Sequence, residues 1–362
     1  MYDLKQIISN FQIHGNYLSG IPYGNGHINS TYKVTLNQAG INVSYTLQKI
    51  NTAIFKDPLK VIENIVRVTD CQKEFYSNSD DSSRKHMTLV KNKDGTYLHE
   101  EKDGSVWRVY LFIEKALTYE IIENEEYAYK TARAFGEFQK SLANIKGERL
   151  HEIIPDFHNT PKRFMALDKA IDKDIAKRAS GVKDEIGFAF SRRDKAAKLI
   201  DLHKSGLIPE RITHNDTKLN NLMIDEKSKQ PICVIDLDTL MPGFSAYDFG
   251  ELMRTGVSPT MEDEKDISKI HIRINVFEAI VKGFLDATSG FINKAEKENI
   301  LWGGYLMTLE NAVRFLTDHL NNDIYYRIHR ENHNLDRCRT QFALLKCIES
   351  EWDNLVGIIK KY

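Results

Sequence analysis

Residues 212–243 read ITHNDTKLNNLMIDEKSKQPICVIDLDTLMPG. Asp216 follows His214 and Asn215 and stands five residues before Asn221. The apolar run LMI at 222–224 comes next, then a polar turn, then the apolar run ICVI at 232–235, which delivers Asp236 and Asp238 at its end. Two short apolar runs around a turn-forming segment predict a β-hairpin. A hairpin folds back, so residues about twenty apart in sequence can meet. Phosphoryl transfer asks for such a set: one carboxylate to accept a hydrogen bond from the attacking hydroxyl, and hard oxygen ligands for Mg²⁺. Asp216 is the candidate catalytic carboxylate, with Asn221 and Asp236 as the metal ligands. Lys218, two residues after Asp216, is placed to offset the charge on the transferring group. His214 is expected to orient the loop by a hydrogen bond. Each residue alone has an ordinary explanation, as a cap, a surface charge or a turn residue. The joint pattern, HxDxxxxN followed by an apolar strand and an Asp, carries the reading. Asp238 is left open between a second metal contact and a structural role.

Outward from this island the texture differs on the two sides. Residues 28–36, INSTYKVTL, alternate apolar and polar positions, the turn NQAG follows, and INVSYTLQKI continues the alternation, which predicts a hairpin. Asp57-Pro58 has the form of a helix start, and Leu59, Ile62, Ile65 and Val66 repeat at helical spacing. Three short strands divided by turns at Asp94-Gly95 and Asp103-Gly104 end in VWRVYLFI. Beyond Glu114, helical periodicity dominates over 125–143, 161–178, 185–205, 262–288 and 293–320, and from about 336 to the end. The expectation is an α+β protein: a small antiparallel β lobe over residues 1–114, a hinge near 113–118, and a larger, mostly helical catalytic and substrate lobe over 115–362. A ligand would lie in the crevice between lobes.

The β lobe supplies candidates for nucleotide contact. Gly24 and Gly26 precede the first hairpin strand, where a glycine backbone can approach phosphates closely or simply make a turn. Lys49 ends the strand YTLQKI, and Glu63, bordering the apolar stripe of the Asp57-Pro58 helix, is its candidate ion-pair partner. Strand side chains alternate, so either Gln48 or Lys49 faces the cleft. Residues 111–116 would join the lobes and offer backbone groups to adenine.

HxDxxxxN followed by IDxD resembles the aminoglycoside phosphotransferase and choline kinase superfamily, which implies a bilobal protein-kinase-like fold and a Mg-ATP-dependent kinase. THNDTKLNN with VIDLDTLMPG and AYDFG resembles, more narrowly, the N-acetylhexosamine 1-kinases, as do YGNGHINSTY at 23–32, RVYLFIE at 108–114, AFGEFQ at 134–139 and RFLTDHLNNDIYY at 314–326. That resemblance implies a small-molecule sugar acceptor, an N-acetylated hexosamine phosphorylated on its anomeric hydroxyl, with His27, Arg314 and Tyr325 as sugar contacts beside Asp216. It also extends to PDFHNTPKR at 155–163, where His158 and Arg163 are open between facing the cleft and serving a helix start at Thr160-Pro161. Trp352 is expected in the core. Other readings stay open: a superfamily kinase for choline, an amino alcohol, homoserine or an aminoglycoside, or a pseudokinase that binds without chemistry.

Acidic and basic residues nearly cancel, at 51 against 50, so no basic field calls for nucleic acid or an anionic membrane as partner. The four cysteines, Cys71, Cys233, Cys338 and Cys347, form no CxxC pair, which argues against zinc and disulfides and for a reducing compartment. The N-terminal stretch MYDLKQIISNFQI lacks a signal-peptide core, and no run approaches the ~20 apolar residues of a membrane span. A soluble, cytoplasmic protein is expected.

Overall fold

The computed structural model describes residues 2–24 and 28–362. In chain order the elements are α1 (Leu4–Ile8), β1 (Asn16–Pro22), β2 (Ser30–Gln38), β3 (Ile41–Lys49), α2 (Pro58–Phe75), β4 (Leu89–Val90), β5 (His99–Glu100), β6 (Val106–Leu111), β7 (Ala116–Leu117), α3 (Glu125–Ser141), α4 (Thr160–Lys173), α5 (Lys183–Phe190), α6 (Lys198–Lys204), β8 (Arg211–Thr213), β9 (Leu222–Asp225), β10 (Pro231–Val234), β11 (Met241–Gly243), α7 (Ser245–Gly256), α8 (Ile274–Thr288), α9 (Lys294–Glu298), α10 (Leu301–Leu320), α11 (His333–Ser350) and α12 (Trp352–Lys360). They divide into two compact units. One comprises the chain up to Leu117 with Asn144–Ile154 and Met223–Met241; the other comprises Thr118–Ala143, Pro155–Leu222 and Pro242–Tyr362.

The first unit is built on an antiparallel sheet of order β1-β2-β3-β6-β4, with β5 paired to β6. Ala39 and Gly40, both at positive φ, form the two-residue link between β2 and β3, with Gln38 opposite Ile41. Val34, Leu36, Tyr45, Leu47, Trp107 and Val109 bury one face against Ile7, Ile8 and Phe11. Helix α2 begins as its sequence implies: the Asp57 carboxylate accepts the Lys60 N–H at 3.3 Å and Pro58 opens the first turn. A second sheet, β10-β9-β7, contains the hairpin of the 212–243 segment.

The second unit is helical. Its axis is α10, buried along nearly its whole length and packed by α11, α7 and α4. Glycines permit the closest approach. A Cβ on Gly303 would lie 1.7 Å from the Ala246 carbonyl oxygen, and one on Gly250 would lie 2.2 Å from the Gly303 carbonyl carbon, so α7 and α10 touch backbone to backbone.

Several helices are shorter than periodicity alone suggests. The 185–205 stretch breaks into α5, a 3₁₀ turn and α6, with Arg192 at the break held by Glu349 through paired bonds of 2.9 and 2.6 Å. The 262–288 stretch becomes helical only at Ile274. Glu262 and Asp263 are taken instead by Arg254 and by Arg330 and His333. Distant ion pairs here outcompete a local helical preference of a few tenths of a kcal/mol per residue. Among the described residues no helix is long and apolar enough to cross a membrane.

Candidate active site

In the helical unit, the loop after β8 holds His214, Asn215 and Asp216. Asp248, on α7, anchors it from below. Its carboxylate accepts the His214 and Asn215 backbone N–H groups at 3.0 and 2.8 Å, the Gln139 amide donates to it at 2.6 Å, and the Asp248 carbonyl accepts the Thr217 hydroxyl at 2.6 Å. Asn215 sits at φ 65, a left-handed conformation that Asn tolerates, and its side chain accepts from Thr213 at 2.9 Å. His214 Nδ1 accepts the Asp216 N–H at 3.2 Å, so this histidine orients the loop.

These bonds present the Asp216 carboxylate with both oxygens defined. Oδ1 faces the Lys218 ammonium at 3.0 Å, and Oδ2 accepts from the Asn221 amide at 3.1 Å. The same amide donates to the Asp216 carbonyl at 2.8 Å. Burial pushes the Asp216 carboxyl up, but Lys218, His214 and the Asn221 bond outweigh it and hold it below the usual carboxylate value. Asp216 in turn raises Lys218. About a quarter of the Asp216 side chain is exposed, so the ionised group is reachable. Each oxygen carries one protein donor and retains a lone pair for an incoming hydroxyl.

Arg314, on α10 in the same unit, lies among three aromatic rings, with Phe157, Tyr325 and Tyr326 at 5.7, 6.0 and 5.6 Å. It forms no ion pair among the described residues, and burial of its charge is offset by the nearby tyrosines and Glu310, which hold its pKa above the usual arginine value. The Tyr326 hydroxyl is buried without a hydrogen-bond partner, and burial pushes its pKa up. Asp318 and Asp323 are structural. Asp318 accepts the Tyr325 and Tyr326 N–H groups at 2.8 and 2.9 Å, and Asp323 binds Arg178 at 2.6 Å. Trp352 lies against Trp302 and Tyr305, where it lines a cavity of about 500 Å³ with Arg192 and Lys195. Trp302 and Arg314 stand twelve residues apart on α10, about 18 Å along a helix.

In the sheet-bearing unit, Asp238 is a structural group. It forms a buried ion pair with Arg108, which also donates to the Gln48 side-chain oxygen at 3.1 and 2.9 Å, and it accepts from Asn29 at 2.5 Å. This decides the alternation on β3. Gln48, opposite Arg108, faces that network, and Lys49, opposite Trp107, points the other way to the Tyr2 hydroxyl at 2.5 Å. The expected Lys49–Glu63 ion pair is therefore not formed; Glu63 binds His151 Nε2 at 2.6 Å instead. Gly24 has φ 78 with open space where a side chain would lie. Gly26 and His27 fall outside the described residues. The β9–β10 hairpin has Asn221 immediately before it and Asp236 two residues after it. Asp236 adopts φ 60 at the entry to a 3₁₀ turn.

Residues 89–265 match the phosphotransferase enzyme family, and the Asp216, Lys218 and Asn221 constellation lies inside that match. That match is to a family of phosphotransferase enzymes and spans 177 of the chain's 362 residues. Solved structures share its fold across its length. An aminoglycoside phosphotransferase from Alicyclobacillus acidocaldarius superimposes with TM-score 0.61 at 12% identity, covering 100% of this chain and 98% of that one. A microcompartment-associated aminopropanol kinase gives 0.59 at 15%, covering 97% of each. A spectinomycin phosphotransferase in complex with ADP and spectinomycin gives 0.55 at 14%, covering 99% and 96%. The fold is accordingly the protein-kinase-like one of these structures, an antiparallel sheet unit with a helical unit. Among the described residues no three His, Cys, Asp or Glu side chains form a metal cluster. The donors that are present suit Mg²⁺ shared with phosphate oxygens. Asn221 spends its N–H₂ on Asp216, so its carbonyl oxygen is the atom left to bind an ion.

Sequence reasoning passed over Asp248 and Glu310, and offered Tyr326 only as one of several hydrogen-bonding side chains in 314–326. Glu310 had a signal, a lone carboxylate in the otherwise apolar helix LWGGYLMTLENAVRFL. Asp248 and Tyr326 had none beyond family likeness.

Proposed function

We propose that this protein phosphorylates the anomeric hydroxyl of an N-acetylhexosamine, giving the sugar 1-phosphate. The observation that carries the reading is the Arg314 wall: a largely buried guanidinium among three rings, with no carboxylate paired to it. Aromatic rings suit the apolar face of a pyranose, and unspent N–H groups suit hydroxyl and acyl oxygens. An ammonium acceptor would instead call for an acidic or aromatic pocket without a cation in it.

In this reading Asp216 accepts the hydrogen bond of the acceptor hydroxyl and receives its proton as the O–P bond forms. Lys218 balances the Asp216 charge and the charge that develops on the transferred group. Asn221 and Asp236 hold Mg²⁺, and Arg314 and Tyr325 bind the sugar. Gly24 and Gly26 serve the nucleotide, and His27 the sugar. Bound Mg-ATP supplies the phosphoryl group. Phosphoryl transfer of this kind is mostly positioning plus electrostatics, which the defined Asp216 oxygens provide.

The test is ADP release against GlcNAc, GalNAc, glucose, galactose and choline. Turnover with the N-acetylated sugars well above the others is expected. Preference for choline would replace the sugar reading with an amine-acceptor kinase, and no turnover with any acceptor alongside intact ATP binding would leave a binding module.

A further inference from the structure

Beneath the Asp216 loop lies a buried pair that the proposed chemistry does not use. His158 precedes α4 and Glu310 sits midway along α10, with side-chain exposures of 6% and 0%. His158 Nδ1 lies 3.0 Å from Glu310 Oε1, and His158 Nε2 lies 3.2 Å from the Asn215 carbonyl oxygen. Thr160 donates its hydroxyl to Glu310 Oε2 at 2.9 Å, and Tyr247 donates to the His158 carbonyl at 3.1 Å. Both imidazole nitrogens thus face oxygens. The Asn215 carbonyl can only accept, so Nε2 carries a proton whatever the state of Glu310.

The Asn215 carbonyl belongs to the peptide that joins Asn215 to Asp216. The N–H of that same peptide donates to His214. One peptide plane is therefore clamped at both ends, by His158 at its oxygen and His214 at its hydrogen, next to a left-handed residue. Rotating this plane would swing the Asp216 side chain. Glu310 lies one helical turn before Arg314 and feels both Arg314 and Arg163. The carboxylate that holds His158 thus also lies one turn along α10 from the residue proposed to bind the acceptor.

We propose that His158 and Glu310 are positioning residues for phosphoryl transfer, fixing the Asn215–Asp216 peptide so that the Asp216 carboxylate is held in register with an acceptor bound at the Arg314 wall. The proposal rests on the reading of Asp216 as the catalytic carboxylate. Misplacement of a reacting group by about 1 Å costs on the order of 100-fold in rate, so the loss belongs in kcat rather than in nucleotide binding.

The experiment uses the full chain, with kcat, acceptor KM, Mg-ATP Kd and thermal midpoint measured for His158→Gln, His158→Phe, the double variant H158F/E310M, and Asp216→Asn. The double variant removes both partners together, so neither His158 nor Glu310 is left buried without the other. Expected are a kcat about 10- to 100-fold lower in His158→Phe and in the double variant, unchanged Mg-ATP binding, and partial recovery in His158→Gln, whose amide can still donate to the Asn215 carbonyl. A folded double variant with wild-type kcat would overturn the proposal, as would losses that follow thermal midpoint alone with no advantage for His158→Gln. Near-normal turnover in Asp216→Asn would sink the catalytic reading itself, a separate result from any of these.

Discussion

Asp216 is surrounded by donors whose removal has distinguishable effects. Asp216→Asn is expected to lower turnover by about 10²- to 10⁴-fold, the usual range for a positioned acid–base group, while Mg-ATP and acceptor binding persist; single-turnover kinetics beside equilibrium binding will show this. The pH dependence has a definite sign. Lys218, His214 and Asn221 together hold the Asp216 carboxyl below its ordinary value despite burial, so the charged form, the one the proposed mechanism needs, persists into mild acid. The acid limb of kcat/KM should lie below the range of an unperturbed carboxylate. In Lys218→Ala a stabilising positive charge is gone, the Asp216 pKa rises, and that limb should move to higher pH whatever the remaining rate. A limb that stays in place would detach Lys218 from the Asp216 charge.

Where α7 crosses α10, two glycines leave no room for a methyl group. Gly303→Ala would press a Cβ into the Ala246 carbonyl at 1.7 Å. Backbone cannot yield as a flexible side chain does, so a destabilisation of about 3 kcal/mol or more is expected, read as a lower denaturant midpoint. Because α7 carries Asp248 and α10 carries Glu310 and Arg314, turnover of the folded fraction should fall as well. In the sheet-bearing unit, β3 and β6 meet the segment after β10 through Arg108, Gln48 and Asp238. Asp238→Asn strands a buried guanidinium and should cost about 3–5 kcal/mol, whereas replacing Arg108 and Asp238 together by apolar residues should recover much of that loss. Equal losses in the single and double variants would contradict the ion-pair account.

With formal charges of 50 against 51, no global field steers an acceptor. The acceptor KM for a neutral sugar should therefore change little between low and physiological salt, and a steep dependence would favour a charged acceptor. Asp236→Ala is expected to abolish the Mg²⁺-dependent part of ATP binding, measured calorimetrically with and without the ion. Undiminished Mg²⁺ dependence would remove Asp236 from the proposed ligand set.

The local geometry of residues 212–243 could be read without coordinates because it depends on neighbours in the chain: a carboxylate, an amide five residues on that reaches it, and a hairpin made by two apolar runs. The caps at Asp57 and the Ala39-Gly40 turn are local for the same reason, since backbone preferences act over a few residues. Lys49 was different. Which way it points is set by the pairing of β3 with β6, and that pairing gives Gln48 to Arg108 and leaves Lys49 to Tyr2. Glu63 likewise found His151, far along the chain, and Glu262 and Asp263 ended a helical pattern to reach arginines on other elements. Such partners are chosen by burial, because a charge removed from water must be paired and the packing of distant segments decides which partner is within reach. The brace of His158 and Glu310 under the catalytic loop belongs to that second class, joining residues more than 150 positions apart.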